Sequence, residues 1–304
     1  MKQAPQLQDT ALRYFHEVVR CGSVSAASLQ LHVAASAISR QISGLEAQMG
    51  APLFERHARG MVPTPAGHIL AQLARRMSLD AEQALDAIRA LDGLRAGMVR
   101  IAASDAFANE LVPQVCAEFQ RLHPGVRFAV HMVHTSQVSA QVLAGDADIG
   151  VRFSLAPLKD IQVAHRQSAP VLAVLPPHHR LAAQRMVSLA ELVRCPLALP
   201  PPDTAIRHMI DMACSRQELS LEPVLTSNHA KTLLNFVQQG GGVTVSSEVG
   251  VRHMLATGAL VAKPLSDVGM DLRDIEVQTL AGRQLPAAAQ AYLELLVQRL
   301  QSAW

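Results

Sequence analysis

Between residues 32 and 50, apolar and short polar residues alternate with the period of a helix. In the segment HVAASAISRQISGLEAQMG, the apolar residues Ile38, Ile42, Leu45 and Met49 follow one another at spacings of four, three and four. Residues with this spacing form one stripe along a helix, so we predict that all four are buried. The opposite face carries mainly side chains that are short or positively charged, Ser36, Ser39, Arg40 and Ser43, with Glu46 and Gln48 as its longer polar residues.

Two shorter helices are predicted before this one. Asp9 precedes the first and Gly22 follows it, which are residue types that cap the beginning and the end of a helix. Ser23 begins the second, SVSAASLQ, and the tight connection LHV joins it to the helix with the narrow polar face. This arrangement is typical of a helix-turn-helix. The narrow face fits, because a helix that enters the major groove, about 12 Å wide, cannot carry bulk toward the bases.

The segment APLFERHARGMVPTPAG predicts a two-stranded wing. Residues 53–56 and 61–63 form the strands, and residues 57–60 form the turn between them. Arg56 and Arg59 lie at the tip of this wing, where arginines suit contacts with phosphates or with the minor groove.

A long helix follows the wing. Thr64 supplies a capping hydroxyl and Pro65 stands at the first helical position, so the two together begin a helix. Apolar residues then alternate at spacings of four and three, in a heptad seam that predicts a helix over residues 64–94 pairing with a second copy. The seam consists of Leu70, Ala74, Met77, Ala81, Ala84, Ile88 and Leu91.

After residue 98, strands and helices alternate. The strands MVRIAA, VRFAVHMV and DADIGVRF, with helices between them, predict a parallel α/β sheet. Consecutive strands near residue 165 then indicate that the chain crosses into a second lobe, and the last strand and helix return to the first. We therefore predict lobe I over residues 98–164 and 268–304 and lobe II over residues 165–267. Ligands of such folds bind in the cleft, at strand ends and helix N-termini.

Polar residues at strand ends and helix starts are the candidates for this cleft. Ser104 ends the first strand and has two interpretations, a hydrogen bond to a ligand oxygen or a turn or cap serine. Thr135 and Ser136 begin a helix, where hydroxyl and N–H groups converge on an anion, although plain capping residues have the same pattern. Asp105 follows Ser104 and would repel an anionic ligand if it faced the cleft.

Arg152 and Phe153 follow the third strand, at the crossing between the lobes. A guanidinium there can pair with a ligand carboxylate, and it can equally form a structural salt bridge with Asp148 or Asp160.

Composition narrows the class of protein. Residues 1–76 hold eight basic and four acidic side chains, whereas the other 228 residues hold 19 basic and 21 acidic ones, so the N-terminal part is the more suited to polyanions. The four cysteines lack a CxxC pair, and we expect free thiols in the cytoplasm. No apolar run approaches membrane-spanning length. Histidine pairs such as His178 with His179 lack further ligands, and no catalytic or nucleotide-binding motif appears, so we predict no metal, no cofactor and no enzyme.

Residues 10–67, FHEVVRCGSVSAASLQLHVAASAISRQISGLEAQMGAPLFERHARGMVPTPAG above all, resemble the winged helix-turn-helix of the LysR-type transcriptional regulators. The resemblance continues more loosely to the end of the chain. It implies a cytoplasmic bacterial regulator with a winged helix-turn-helix (residues 1–63), a dimerising linker helix (64–94) and an effector-binding domain like a periplasmic binding protein (98–304). Its partners would be operator DNA, a small-molecule effector with carboxylates among the candidates, further copies of itself in a dimer or tetramer, and RNA polymerase.

The resemblance also assigns site residues. Ser104, Thr135 and Ser136 match effector-pocket positions of the family, and Arg152 and Phe153 match it more loosely. The residues expected at DNA are Ala35, Ser36, Ser39, Arg40, Ser43, Arg56, Arg59 and Thr64.

One departure from the family lies at Ala34 and Ala35, where the family usually has Ser-Gln. The missing hydroxyl removes a helix cap and the missing amide removes a polar base contact, unless Ala35 instead favours a thymine methyl. Two other classes stay open on the residues alone: a small-molecule binding protein without gene control, and an enzyme that uses the α/β cleft.

Overall fold

The structure, a computed structural model, describes residues 9–57, 60–90, 97–156 and 158–302. The chain divides into two units, Met1–Leu91 and Asp92–Trp304. The described part of the N-terminal unit contains, in chain order, α1 (Thr10–Cys21), α2 (Val24–Leu31), α3 (Ala35–Met49), β1 (Phe54–His57), β2 (Gly60–Pro63) and α4 (Pro65–Ala90).

The predicted caps position the first three helices. The Asp9 carboxylate accepts hydrogen bonds from the N–H groups of Ala11 and Leu12, and Gly22 ends α1 in the left-handed conformation, with φ of 70°. The Ser23 hydroxyl accepts from the N–H of Ala26 and caps α2. These local signals were read correctly from the sequence, because each depends on one side chain and the backbone beside it.

The core of the N-terminal unit joins the three helices, the wing and the start of α4. Phe15, Ile38 and Ile42 are fully buried in it, and Leu45 is nearly so. The prediction for Met49 is wrong: its side chain is 52% exposed, because it lies in the last turn of α3, beyond the elements that cover Leu45.

The wing is an antiparallel pair in which Phe54 lies opposite Pro63 and His57 opposite Gly60. Residues 58 and 59 lie outside the described residues, so the predicted role of Arg59 has no structural counterpart here. The wing is tied to α1 by a hydrogen bond of 2.8 Å from the Met61 N–H to the Gly22 carbonyl. A Cβ on Gly60 would lie 2.5 Å from that carbonyl oxygen, so only glycine fits there.

The apolar seam of α4 differs from the predicted one. Leu70 and Ala74 are buried in the core of the N-terminal unit and are not available to a partner helix. Leu91 lies outside the described residues. Met77, Ala84 and Ile88 of the predicted seam are exposed. The large apolar side chains exposed on the described part of α4 are Ile69, Leu73, Met77 and Ile88, and we call them the exposed stripe.

The described part of the C-terminal unit contains further strands and helices. The strands are β3 (Gly97–Ala103), β4 (Val126–Met132), β5 (Ile149–Ser154), β6 (Ile161–Ser168), β7 (Leu172–Leu175), β8 (Ala198–Leu199), β9 (Leu225–Thr226), β10 (Thr244–Ser246), β11 (Val261–Pro264) and β12 (Asp274–Leu280). The α-helices are α5 (Asp105–Ala108), α6 (Leu111–Leu122), α7 (Thr135–Leu143), α8 (Leu189–Leu192), α9 (Ala205–Arg216), α10 (Ala230–Gln238), α11 (Glu248–Ala256) and α12 (Ala287–Gln301).

These elements form two lobes. Lobe I is built on a five-stranded sheet in the order β4-β3-β5-β12-β6, in which β3 is parallel to β4 and β5, as predicted. Helix α12 returns to this lobe, where Tyr292 packs against Phe119 of α6. Lobe II contains the three-stranded sheet β10-β7-β11 and the parallel pair β8-β9. None of the described helices is both long enough and apolar enough to cross a membrane.

The chain passes between the lobes twice, and the two crossings lie side by side. Strand β6 of lobe I ends at Ser168, and β12 brings the chain back at Asp274. Between these strand ends, the Ala169 N–H donates to the Arg273 carbonyl (2.7 Å) and the Arg273 Nε donates to the Ala169 carbonyl (3.3 Å). We call these two paired crossings, at Ala169 and Arg273, the hinge. Residues beside the hinge lie next to the space between the two lobes.

Candidate DNA-contacting surface and inter-lobe pocket

The outer face of α3 is exposed and consists mainly of short polar side chains around Arg40. Ser36, Arg40 and Ser43 are exposed and Ser39 is partly so, while Ile38 and Ile42 lie on the opposite side. The helix has one carboxylate, Glu46, and it accepts a hydrogen bond of 2.9 Å from the Leu53 N–H. Glu46 follows Ser43 by three residues and therefore lies beside the serines on the helix, but this bond engages its carboxylate with the segment that leads into the wing.

The beginning of α3 lacks a side-chain cap. Ala34 stands at the N-cap position with extended backbone (φ −64°, ψ 136°) and makes no side-chain hydrogen bond. The predicted loss of a cap at this position is confirmed. Ala35 and Ser36, in the first turn, are both exposed, so a change at position 35 alters the surface and one at position 34 alters the cap.

The remaining candidates of the N-terminal unit differ from one another. Arg56 is exposed on β1. Thr64 is only 9% exposed, and its hydroxyl donates to the Pro52 carbonyl (2.8 Å) and accepts from the Gly67 N–H (3.0 Å). Both hydrogen-bonding capacities of this hydroxyl are therefore used inside the unit, and its geometry is that of a capping residue and not of a surface contact.

A cavity of about 130 Å³ lies between the lobes of the C-terminal unit. Three of the five candidates from the sequence line it: Ser104, Thr135 and Phe153. The other lining residues are Asp105, Ala106, Pro200, Thr204, Ala205, Ile206, Ser227, Asn228, Ala230, Leu233, Val245, Ser246, Ser247 and Arg273.

The Ser104 hydroxyl has no hydrogen-bond partner among the described residues. Ser104 is 5% exposed, its N–H donates to the Val151 carbonyl (3.1 Å), and its carbonyl accepts from the first turn of α5. The hydroxyl, however, makes no cap bond to that helix. Ser104 therefore occupies the N-cap position of α5, as one of its two interpretations expects, but its hydroxyl does not cap the helix and is a buried polar atom at the cavity without a partner among the described residues.

Ser136 and Arg152 do not line the cavity. The Ser136 side chain is exposed, and its hydroxyl lies 2.9 Å from Nδ1 of His134, the residue that caps α7. Arg152 donates from Nε to the Phe153 carbonyl (3.0 Å) and from Nη1 to the Ser139 hydroxyl (3.0 Å). Its burial lowers the pKa of the guanidinium.

Neither predicted ion pair of Arg152 is present. Among the described residues, Asp148 pairs instead with Arg283 at 2.9 Å, and Asp160 has no ion pair. The Ser139 hydroxyl that Arg152 contacts donates in turn to Gln278 (2.6 Å). Arg152 thus belongs to a hydrogen-bonded network on the sheet of lobe I, because its side chain and that of Phe153 leave the strand on opposite faces.

Arg273 is a cavity residue that the sequence reasoning missed. It is 3% exposed, and its guanidinium carbon lies 4.0 Å from the centroid of the Phe153 ring. Its Nη2 has no hydrogen-bond partner among the described residues, and burial lowers its pKa to about 9. The sequence held one signal, an arginine directly before the strand that brings the chain back to lobe I; Arg152, which was expected at the other crossing, lies inside β5 instead.

Asp105 connects the two lobes. Its Oδ2 accepts a hydrogen bond of 2.6 Å from the N–H of Ala230, the first residue of α10, and its Oδ1 accepts one of 2.6 Å from Asn109. His229 Nδ1 lies 3.9 Å from the same carboxylate. A carboxylate at a helix N-terminus compensates the unpaired N–H groups and the helix dipole there.

Comparison with known families identifies both units. Residues 10–68 match the family model described as "Bacterial regulatory helix-turn-helix protein, lysR family", and residues 92–301 match the model "LysR substrate binding domain". The second match alone covers more than half of the chain. The chain belongs to the LysR family of transcription regulators.

Individual relatives of this LysR-type regulator support the same assignment. The chain is 24% identical over 287 residues to YybE, an uncharacterized HTH-type transcriptional regulator of Bacillus subtilis, covering 94% of this chain and 97% of the relative. Its fold is similar to that of full-length OxyR from Pseudomonas aeruginosa, with a TM-score of 0.71 at 19% identity, covering 98% and 96% of the two chains. It is also similar to full-length CbnR complexed with its target DNA, with a TM-score of 0.52 at 21% identity, covering 95% and 98%.

The family assignment decides among the three classes that the sequence left open: a transcription regulator, a binding protein without gene control, and an enzyme. A helix-turn-helix unit joined to an effector-binding domain is the architecture of a transcription regulator, and the relatives bear names of regulators and not of enzymes. Among the described residues, no group of three His, Cys, Asp or Glu side chains is arranged to hold a metal ion.

Proposed function

We propose that this LysR-type regulator reads operator DNA with the exposed face of α3 and changes its hold on DNA when a small molecule binds between the lobes. The observation that carries the proposal is the face of α3: a row of serines around Arg40, beside which the one carboxylate of the helix, Glu46, is engaged by the Leu53 N–H. Short side chains let the helix approach the base edges closely, and an arginine is the commonest specific reader of guanine.

The roles of the individual residues follow from their exposure, except for that of Arg59, which lies outside the described residues and rests on the sequence alone. Ala35, Ser36, Ser39, Arg40 and Ser43 would meet bases or the adjacent phosphates, and Arg56 and Arg59 of the wing would hold the backbone. We assign Thr64 a supporting role, since its hydroxyl is engaged by Pro52 and Gly67. CbnR, similar in fold, has been solved with its target DNA, which supports DNA as the partner here.

A dimer would be formed by the exposed stripe of α4. Ile69, Leu73, Met77 and Ile88 leave more than a third of each side chain exposed. Apolar stripes of this kind along a helix are buried in stable proteins, and a second copy of the same helix offers a matching surface. Two copies would present two α3 helices to an operator with two half-sites, as a dimer or a dimer of dimers.

The pocket would connect the small molecule to DNA. A ligand that contacts both lobes favours one arrangement of the lobes over another, and thereby shifts the population of dimer geometries. The spacing of the two α3 helices, the bending of the operator and the contact with RNA polymerase would change accordingly. We place this activity in the bacterial cytoplasm, where the DNA lies.

The experiment that tests the proposal adds one negative charge to α3. Full-length protein is incubated with a randomised double-stranded DNA library at physiological salt, and bound DNA is quantified for wild type, Ser43→Glu and the control Gln48→Glu. We expect Ser43→Glu to abolish binding, because it sets a carboxylate toward the phosphates, whereas Gln48→Glu leaves binding nearly unchanged. Equal binding by all three proteins, or none by wild type, contradicts the proposal.

A further inference from the structure

Two ionisable residues, Asp105 and Arg273, line the inter-lobe cavity. They differ in how far their charged groups are engaged by hydrogen bonds. The Asp105 carboxylate is engaged by the Ala230 N–H and by Asn109. Within the described part of the chain, the Arg273 guanidinium makes one hydrogen bond, from Nε to the Ala169 carbonyl, and the Phe153 ring lies beside it. Among the described residues, no carboxylate lies within ion-pair distance of Arg273. The negative charge of the cavity is therefore already bonded, while the positive charge is not.

A buried cation without a counter-charge is costly, and few proteins keep one without a use for it. The cost is visible in the pKa of Arg273, which burial lowers to about 9. A bound anion would remove this cost, because it would place a negative charge beside the guanidinium, which is buried away from water. Arginine pairs with carboxylates through two parallel hydrogen bonds, and Nη2 of Arg273 still has no partner among the described residues.

Ser104 supplies a second unpartnered group in the same cavity. Its hydroxyl is buried and makes no hydrogen bond within the described chain. A hydroxyl can donate one hydrogen bond to a carboxylate oxygen, in addition to those from the guanidinium. The Ser104 hydroxyl, at the end of β3, and Nη2 of Arg273, at the hinge, thus both lack a hydrogen-bond acceptor among the described residues.

The rest of the cavity restricts the ligand further. Its volume of about 130 Å³ is well below the roughly 300–1,000 Å³ typical of drug-sized ligands, so it suits a small molecule. Phe153, Ile206, Leu233 and Val245 line it with apolar surface. Asp105 also lines it, and its charge opposes an anionic ligand, as expected from the sequence. The Ala230 N–H and Asn109 offset this charge in part and Arg273 offers one uncompensated positive charge, so the balance favours one anionic group on the ligand and disfavours a second.

We propose that the effector is a compact monocarboxylate, held by Arg273 and Ser104, and that Asp105 excludes dicarboxylates. This inference rests on the function proposed above and names the class of ligand for the same pocket. Arg273 and Ser104 are binding residues in this account, and Asp105 is a specificity-determining residue.

The test uses minimal probes with full-length protein. Acetate and benzoate are compared with the neutral acetamide and benzamide and with the dianion malonate, at constant ionic strength, by thermal unfolding and titration calorimetry. At ten times its dissociation constant, a monocarboxylate should raise the Tm of the effector domain by roughly 3–5 °C. The amides should give no shift, and malonate should bind more weakly than acetate.

Variants assign the effect to the named residues. Ser104→Ala, which removes one hydrogen bond, should weaken acetate and benzoate binding by roughly tenfold, and Arg273→Met should abolish it. Arg273→Lys keeps the charge but not the paired hydrogen bonds, and should bind weakly. Arg152→Met is the matched control, because it removes a half-buried arginine of the same lobe that does not line the cavity. Asp105→Asn should let malonate bind as well as acetate.

Two results would overturn the inference. One is an absence of any shift with acetate and benzoate beyond that with the amides. The other is a shift that survives in both Ser104→Ala and Arg273→Met. DNA binding is measured on the same samples: a protein that binds DNA but no monocarboxylate refutes the ligand class alone, whereas one that binds no DNA refutes the proposed function.

Discussion

The carboxylate of Asp105 in lobe I accepts a hydrogen bond of 2.6 Å from the backbone N–H of Ala230, the first residue of α10 in lobe II. One side chain thereby caps a helix that belongs to the other lobe. Because the helix N-terminus and the carboxylate attract each other, this contact favours the arrangement in which the lobes are together. The contact lies at the cavity, since Asp105 and Ala230 both belong to its lining.

Removing this contact should loosen the beginning of α10. Asp105→Ala should lower the free energy of unfolding of the effector domain by about 1 kcal/mol, the usual value of a lost helix cap. Hydrogen exchange at Ala230 should become faster in the variant. Asp203→Ala, which removes an exposed carboxylate of lobe II, is the control and should change neither quantity. Equal exchange in both variants would mean that the contact is not maintained in solution.

Arg273 and Arg152 should respond in opposite directions to the same substitution. Without ligand, Arg273→Met should raise the free energy of unfolding by about 1–4 kcal/mol, since it replaces a buried cation that has no counter-charge. Arg152→Met removes the donor to the Ser139 hydroxyl and to the Phe153 carbonyl, and should lower stability by about 1–3 kcal/mol. Denaturant unfolding measures both values. Destabilisation by Arg273→Met as large as that by Arg152→Met would show that Arg273 is a structural residue.

The exposed stripe of α4 should hold the dimer. Introducing Leu73→Glu and Ile88→Glu together should give monomers or aggregates in sedimentation experiments, because two carboxylates per chain would face their copies across the seam. Gln72→Glu changes the charge of the same helix at an exposed polar position and should leave the dimer intact. A dimer of unchanged affinity in the double variant would assign the interface to another surface.

Thr64 should matter for stability and not for sequence preference. Thr64→Val removes the hydroxyl that bonds Pro52 and Gly67, and should lower the unfolding free energy of the N-terminal unit by about 1–2 kcal/mol. The bases preferred in a binding-site selection should stay the same. A changed preference would restore Thr64 to the surface that contacts DNA.

Local signals in the sequence predicted the helices, the wing and their caps, because each depends on neighbouring residues. Burial along a helix was less predictable. Leu70 and Ala74 have the spacing of a dimer seam, but the core of the N-terminal unit takes them up, and the exposed stripe begins one residue earlier, at Ile69. Periodicity defines an apolar face, whereas the neighbouring elements decide which edge of it is covered.

The pocket could be predicted only in part. Ser104, Thr135 and Phe153 follow from strand ends and helix starts in lobe I, where position along the chain reports position in the fold. Arg273 escapes such reasoning, because its place depends on two crossings that are 104 residues apart in the chain. Arg152 was misread, because the face of the strand on which a side chain emerges cannot be fixed from a strand whose residues are nearly all buried.

Substitutions at Ala34 and Ala35 should affect two different properties, the stability of α3 and the recognition of bases. Ala34→Ser should supply the missing cap of α3 and raise the unfolding free energy of the N-terminal unit by about 1 kcal/mol, with slightly tighter binding to all DNA sequences. Ala35→Gln should leave stability nearly unchanged and alter the base preferred at one position of each half-site. Thermal unfolding and binding-site selection on both variants distinguish the two effects, and identical site preferences for wild type and Ala35→Gln would mean that residue 35 does not face the bases.

The central claim is that α3 reads bases, and Arg40 tests it most directly. Binding-site selection with wild-type protein, Arg40→Ala and the control Arg216→Ala, followed by titration of the selected duplex, measures sequence preference and affinity together. Loss of one base-edge contact of about 1–3 kcal/mol should weaken binding to the selected site by roughly 5- to 150-fold and erase the preference at one position of each half-site, while Arg216→Ala behaves as wild type. An equal loss of affinity for all sequences, with the preference intact, would contradict the claim, because Arg40 would then contact phosphates alone.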